Sequence, residues 1–196
     1  MATTQATLTP AADQTPAVAR IPQKELSGAQ WVSRFPTSAS VSDLAEPFQR
    51  NVVSFFEAIA AAGGATRVSA TYRPPERAYL MHYASSLSKG AVSAESIPTM
   101  AGVNIEWVHP TAAESSSAAS AMADGYGIVY PPALVSNHSR RTAIDVTITG
   151  MIGRTILNAA GTRVTINSLS DLNAVGASYG VIKLVSDPPH WSEDGH

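Results

Sequence analysis

Residues 136–149 read Ser136-Asn137-His138-Ser139-Arg140-Arg141-Thr142-Ala143-Ile144-Asp145-Val146-Thr147-Ile148-Thr149, and the fold turns on how this stretch is read. Residues 142–149 alternate apolar and polar side chains with a period of two, the pattern of a half-buried strand. Ile144, Val146 and Ile148 share one face, and Ala143, Asp145, Thr147 and Thr149 share the other. Asp145 therefore points away from the most apolar face, where its carboxylate needs a partner or solvent, because burying it alone is costly. His138 lies seven residues earlier. On one continuous helix that spacing spans about 10 Å, and on one straight strand more. A loop ahead of the strand can instead fold the imidazole back toward the carboxylate.

Working outward, the next strongest pattern is 42–62, where Leu44, Phe48, Val52, Phe55, Phe56, Ile59 and Ala60 recur at helical spacing and Gly63–Gly64 ends the run. Thr66–Tyr72 reads as a short strand, closed by Pro74–Pro75. A helix follows over about 75–88, with Pro placed at its first turn. Residues 91–112 read as a loop carrying Trp107 and His109, which either wall a cleft or simply pack. Ala-rich residues 111–124 predict a helix begun by Thr111 and stopped by Gly125 and Gly127. Residues 151–158 read as helical, 168–175 as a short helix and Val181–Val185 as a final strand. Helices mixed with non-adjacent strands predict an α+β domain with a small, mainly antiparallel sheet flanked by helices.

Residues 1–40 read as an N-terminal tail, poorly structured or extended, because scattered Pro, Ser and Thr show no sustained period. Trp31, Val32 and Phe35 are the residues able to pin its end to the domain. The tail lacks the basic start and apolar core of a secretory signal. With 196 residues the chain is long enough to bury a core. Zero Cys excludes a disulfide scaffold, a cysteine-held zinc finger, an iron–sulfur site and a Cys nucleophile. A net charge of −2 with 13 Lys+Arg argues against nucleic acid as a partner. No apolar run reaches the roughly 18–20 residues of a membrane span. Charged residues make up only 14% of the chain, so ionisable groups in its middle stand out.

A second cluster is Asp187-Pro188-Pro189-His190-Trp191. Two prolines favour a stiff, polyproline-like spacer with three residues per turn, which would point Asp187 and His190 the same way. Taken with His138 and Asp145, His190 completes a two-His, one-carboxylate set of the kind that holds catalytic zinc and leaves a fourth position for water. Zinc lowers the pKa of such water toward about 7. An unligated carboxylate nearby, here Asp187, then suits the general base that passes the proton to the leaving amine. Each residue also has a plainer reading: Asp187 as a turn acceptor, Trp191 as packing, the histidines as ordinary surface or core residues.

At these residues the chain resembles the M15-type zinc peptidases, the D-Ala-D-Ala carboxypeptidase and L-alanyl-D-glutamate endopeptidase group, which shares its fold with the Hedgehog signalling domain. The group's pattern S-x-H-x-x-G-x-A-x-D is met by Ser136, His138, Ala143 and Asp145, and its downstream acid, His and aromatic by Asp187, His190 and Trp191. Tyr72-Arg73 falls where the group carries an Arg after a strand. The resemblance implies a Hedgehog/DD-peptidase-like domain over 41–196. It implies zinc on His138, Asp145 and His190, Asp187 as base, Arg73 holding a substrate carboxylate or carbonyl, Ser136 supporting the site by hydrogen bonding, and Arg141 and Trp191 lining the substrate-binding cleft. The group's Gly is Arg141 here, a residue able to narrow the cleft, bind an acidic peptide group or mark lost activity. His82 reads as structural, and His196 falls outside the site.

The implied activity is hydrolysis of an amide bond in peptidoglycan stem peptides, at the bacterial cell wall or periplasm. Phage lysis, a secretion machine or membership of a larger particle would each deliver such an enzyme without a signal peptide. The competing reading is a non-catalytic zinc-containing module that binds cell wall or a protein partner.

Overall fold

The alternation along 142–149 is realised in three dimensions: Ile144 and Val146 are sealed in the core, while Asp145 on the opposite face stays partly open. The computed structural model describes residues 23–129 and 132–196, so residues 1–22 of the expected tail lie outside the described residues. In chain order these form β1 (Glu25–Leu26), α1 (Phe48–Ala61), β2 (Ala65–Ala70), α2 (Pro75–Ser88), β3 (Ile105–Glu106), α3 (Ala112–Gly125), the one-turn α4 (Asn137–Arg140), β4 (Ala143–Thr149), β5 (Thr155–Leu157), β6 (Arg163–Thr165), α5 (Leu169–Ser178), β7 (Ile182–Lys183) and β8 (His190–Ser192). The architecture is α+β. A four-stranded antiparallel sheet in the order β2-β4-β8-β7 is joined by an antiparallel β5–β6 hairpin and a short parallel pair, β1–β3. No helix among the described residues is long and apolar enough to cross a membrane.

Two hydrophobic cores result. In the first, Phe48, Val52, Phe55 and Ile59 form a stripe along α1 at i, i+4, i+7 and i+11 and pack on Ile144, Val146, Val175 and Trp191. Gly176 makes that packing feasible: a Cβ there would lie 2.5 Å from the Trp191 ring and 2.8 Å from the Val181 carbonyl oxygen. The second core lies between α2 and α3, where Leu80, Ala84, Ala119 and Met122 meet Trp31 and Trp107. α3 starts on a full capping box, in which the Thr111 hydroxyl accepts from the Glu114 N–H and the Glu114 carboxylate accepts from the Thr111 N–H.

Some sequence expectations hold and others are corrected. Trp31, Val32 and Phe35 do pin the end of the tail to the second core, and residues 23–40 are ordered against the domain rather than poorly structured: the Trp31 Nε1 donates to the Leu26 carbonyl, β1 pairs with β3, and Ser38 bonds the backbone of Thr71 and Tyr72. Helix 42–62 begins only at Phe48, with Pro47 at its N-cap and a separate 3₁₀ turn over 41–43. Residues 151–158 contain strand β5 rather than a helix. Thr155 and Ile156 are β-branched, and the Asn158 side chain accepts from the Ala160 and Thr162 N–H groups to turn the chain into β6. Trp107 packs: its Nε1 donates to the Tyr79 hydroxyl inside the second core. His82 is structural, its Nδ1 bonded to the Pro132 carbonyl at 2.8 Å.

Candidate metal centre

Three short elements meet on the open face of the sheet. Asp145 stands on β4, and β8 pairs with β4 so that His190 lies directly opposite Asp145. Facing residues on adjacent antiparallel strands bring their Cβ atoms to about 5 Å, so register alone delivers two of the three groups. His138 arrives on α4. After α4 the chain reverses through a Schellman-type closure: Thr142 N–H bonds to the Asn137 carbonyl (2.9 Å) and Arg141 N–H to the His138 carbonyl (3.2 Å). The residue at the left-handed position is Arg141, φ +66°. Glycine holds that position without strain, and a non-glycine residue there costs about 1–2 kcal/mol. The Arg141 guanidinium lies over the Tyr72 ring at 4.2 Å, a cation–π contact that offsets part of the cost. Arg141 thus keeps the turn and neither reaches a ligand nor narrows the cleft, which is lined by Arg140 instead.

His138 Nε2 lies 3.1 Å from Asp145 Oδ1, His190 Nδ1 lies 3.1 Å from the same oxygen, and the two ring nitrogens are 3.2 Å apart. Each ring is held from behind. His138 Nδ1 is 2.9 Å from the Thr71 carbonyl oxygen and His190 Nε2 is 3.0 Å from the His196 backbone oxygen. Both oxygens only accept, so the tautomer with each N–H at its backbone oxygen turns two imidazole lone pairs and the Asp145 carboxylate toward one centre, the arrangement a bound cation requires. Ligands about 2.0–2.1 Å from a tetrahedral ion stand about 3.3 Å apart, close to the separations found. The buried His138–Asp145–His190 group can hold a metal ion.

Burial alone would push the Asp145 carboxyl up. Hydrogen bonds and charge from His138 and His190 outweigh it and hold Asp145 well below the usual carboxylate range. Burial lowers the His190 pKa, while Asp145 raises it and prevails.

Arg73 follows β2 and donates its backbone N–H to the His138 carbonyl (3.2 Å). Its side chain is half-buried, and Nε is buried without a hydrogen-bond partner among the described residues. Burial lowers its pKa, with Asp145 acting to raise it and Arg77 to lower it. Arg73, Ser136, Asp187 and the three metal-type ligands share one open cleft of about 360 Å³.

Other expectations are corrected here. Trp191 does not line this cleft. It lies on the core side of β8, its ring 5.5 Å from that of Phe55. Ser136 lines the cleft, but its hydroxyl faces Ser139 (3.5 Å) rather than a ligand. The Asp187–His190 segment is a pair of turns, not a polyproline spacer: Asp187 N–H bonds to the Leu184 carbonyl and His190 N–H to the Asp187 carbonyl. Lys183 sets this shape by donating its ammonium to the carbonyls of Leu184, Asp187 and His190. His196, read as outside the site, lines the cleft and sets its backbone oxygen against His190. Lys183 and Asn137 escape sequence reasoning because they act on backbone atoms, which leave no residue-type pattern. No protein-family model and no curated protein sequence matches this chain.

Proposed function

We propose that this chain is a zinc-dependent peptidase of Hedgehog/DD-peptidase-like fold that hydrolyses an amide bond in peptidoglycan stem peptides. One observation carries the reading: three metal-type ligand atoms converge beside a guanidinium whose buried Nε has no partner among the described residues, in a cleft open to a substrate. Zinc bound by His138, Asp145 and His190 would supply Lewis-acid activation of water and of the scissile carbonyl. Arg73 binds the substrate, its planar fork matching a carboxylate or carbonyl of the peptide. The Asp187 carboxylate, exposed at the cleft edge, takes a proton from the attacking water and returns it to the leaving nitrogen. Thr71 and His196 keep the two imidazoles in the ligating tautomer through their backbone oxygens. The substrate class and the cell-wall or periplasmic site of action rest on the resemblance to M15-type peptidases.

Metal analysis of the purified chain and digestion of sacculi with mass spectrometry of the products test this directly. The expected result is about one zinc per chain, new peptide termini, and loss of cleavage with retention of zinc in Asp187→Ala. Absence of zinc, or full activity in Asp187→Ala, overturns the peptidase reading. Zinc without any cleavage would favour the non-catalytic binding module.

A further inference from the structure

His190 is anchored by a residue that sits beside another ligand. Its Nε2 lies 3.0 Å from the His196 backbone oxygen, and that same oxygen accepts from Asn137 Nδ2 at 2.7 Å. Asn137 immediately precedes His138 and is 5% exposed. Its amide is fully used. Nδ2 also donates to Asp194 Oδ1 (2.7 Å), and Oδ1 accepts from Arg140 Nε (3.2 Å) and Nη2 (2.8 Å). Arginine only donates, while a carboxylate or backbone oxygen only accepts, so the amide has one orientation here. Asp194 is braced in turn by the Ser192 hydroxyl and the His196 N–H, which aims the His196 backbone oxygen inward.

A neutral imidazole has two tautomers, and only the form with Nδ1 free can ligate through Nδ1. We propose that Asn137 is a positioning residue for His190. Through the His196 backbone oxygen it favours the Nε2–H tautomer and aims the Nδ1 lone pair at His138 and Asp145. The role in ligation rests on the metal-binding reading above; in the ion-free chain Asp145 Oδ1, 3.1 Å from Nδ1, competes for the proton, and the braced His196 oxygen opposes it. The physical reason is that an acceptor held from the far side by a rigid amide discriminates between tautomers that water would leave mixed. It also ties α4 and β8, which carry two of the three ligands, to a common oxygen.

The test uses the full chain with Asn137→Leu and Asn137→Asp. The Asp variant keeps the shape and the Arg140 contact but removes both Nδ2 donors, so it serves if the Leu variant does not fold. Long-range ¹H–¹⁵N correlation spectra at a pH where the ring is neutral report the His190 tautomer, and competition with a chelator reports zinc affinity. The wild type should show a single Nε2–H tautomer. The variants should show mixed tautomers and zinc binding weakened roughly 10- to 100-fold, the range for loss of an outer-shell partner. A folded variant that retains the single tautomer and wild-type zinc affinity overturns the proposal. If wild-type protein takes no zinc, the proposed function fails, and the tautomer spectra still decide the role of Asn137.

Discussion

The core beneath the four-stranded sheet and the core between α2 and α3 both close over aromatic rings, Phe55 with Trp191 and Tyr179 in the first, Tyr79 with Tyr83 and Trp107 in the second. Their histidines differ. In the helical half, the rings of His82 and His109 each hydrogen-bond one neutral oxygen among the described residues, of Pro132 and Ser27. In the sheet half, His138 and His190 turn one nitrogen to a backbone oxygen and the other to a common centre with Asp145. A strand has two faces, so β4 and β8 can bury Ile144 and Trp191 on one side and present Asp145 and His190 on the other. The helical half uses its apolar surface to build a wall.

The largest expected effect breaks the contrast at its centre. Asp145→Asn removes the carboxylate shared by both rings, and zinc affinity measured by calorimetry should fall by more than the roughly 10- to 100-fold of an outer-shell loss. Next, Phe55→Ala and Trp107→Ala should each cost about 3–5 kcal/mol in urea denaturation. Only Phe55→Ala should also weaken zinc binding, because Phe55 packs on Trp191 beside His190 whereas Trp107 touches the other core. Equal loss of zinc affinity in both variants would show that the two halves are coupled.

Arg141→Gly tests whether the turn after α4 needs its side chain. Relief of the left-handed strain opposes loss of the Tyr72 contact and added freedom in the unfolded chain, so stability should change by less than about 1 kcal/mol with zinc affinity unchanged. The smallest effect lies in the helical half. Burial pushes the Tyr126 phenol up to about 12, against a modest lowering by Arg77. A folded pKa above the unfolded value of about 10 means that this phenol's contribution to stability is complete below pH ~10 and is lost as pH rises through about 12. Burial also raises the Tyr79 phenol, so absorbance titration should show late-ionising tyrosines, one fewer of them in Tyr126→Phe.

Much of the fold was legible where local chemistry and tertiary demand agree. Pro74–Pro75 opens α2, Thr111 with Glu114 opens α3, and the period-two run over 142–149 is β4. It was illegible where elements are too short to carry a period. β5 and β8 have three residues each, and their strand character comes from partners, β6 for one and β4 with β7 for the other. Trp191 was misplaced for the same reason, since which side of β8 it takes is set by pairing register.

The sequence by itself determined the α+β class, the outward face of Asp145 and the residue types His138, Asp145 and His190 that make a metal ligand set, because periodicity and side-chain chemistry are local properties. Only the tertiary structure decided that these three converge, that Arg73 is left with an unsatisfied, buried Nε beside them, and that Arg141 turns away to Tyr72. Only there, too, did the backbone oxygens of Thr71 and His196 emerge against the outer nitrogens of the two rings. Every residue carries a backbone oxygen, so where it points is a property of the folded chain alone.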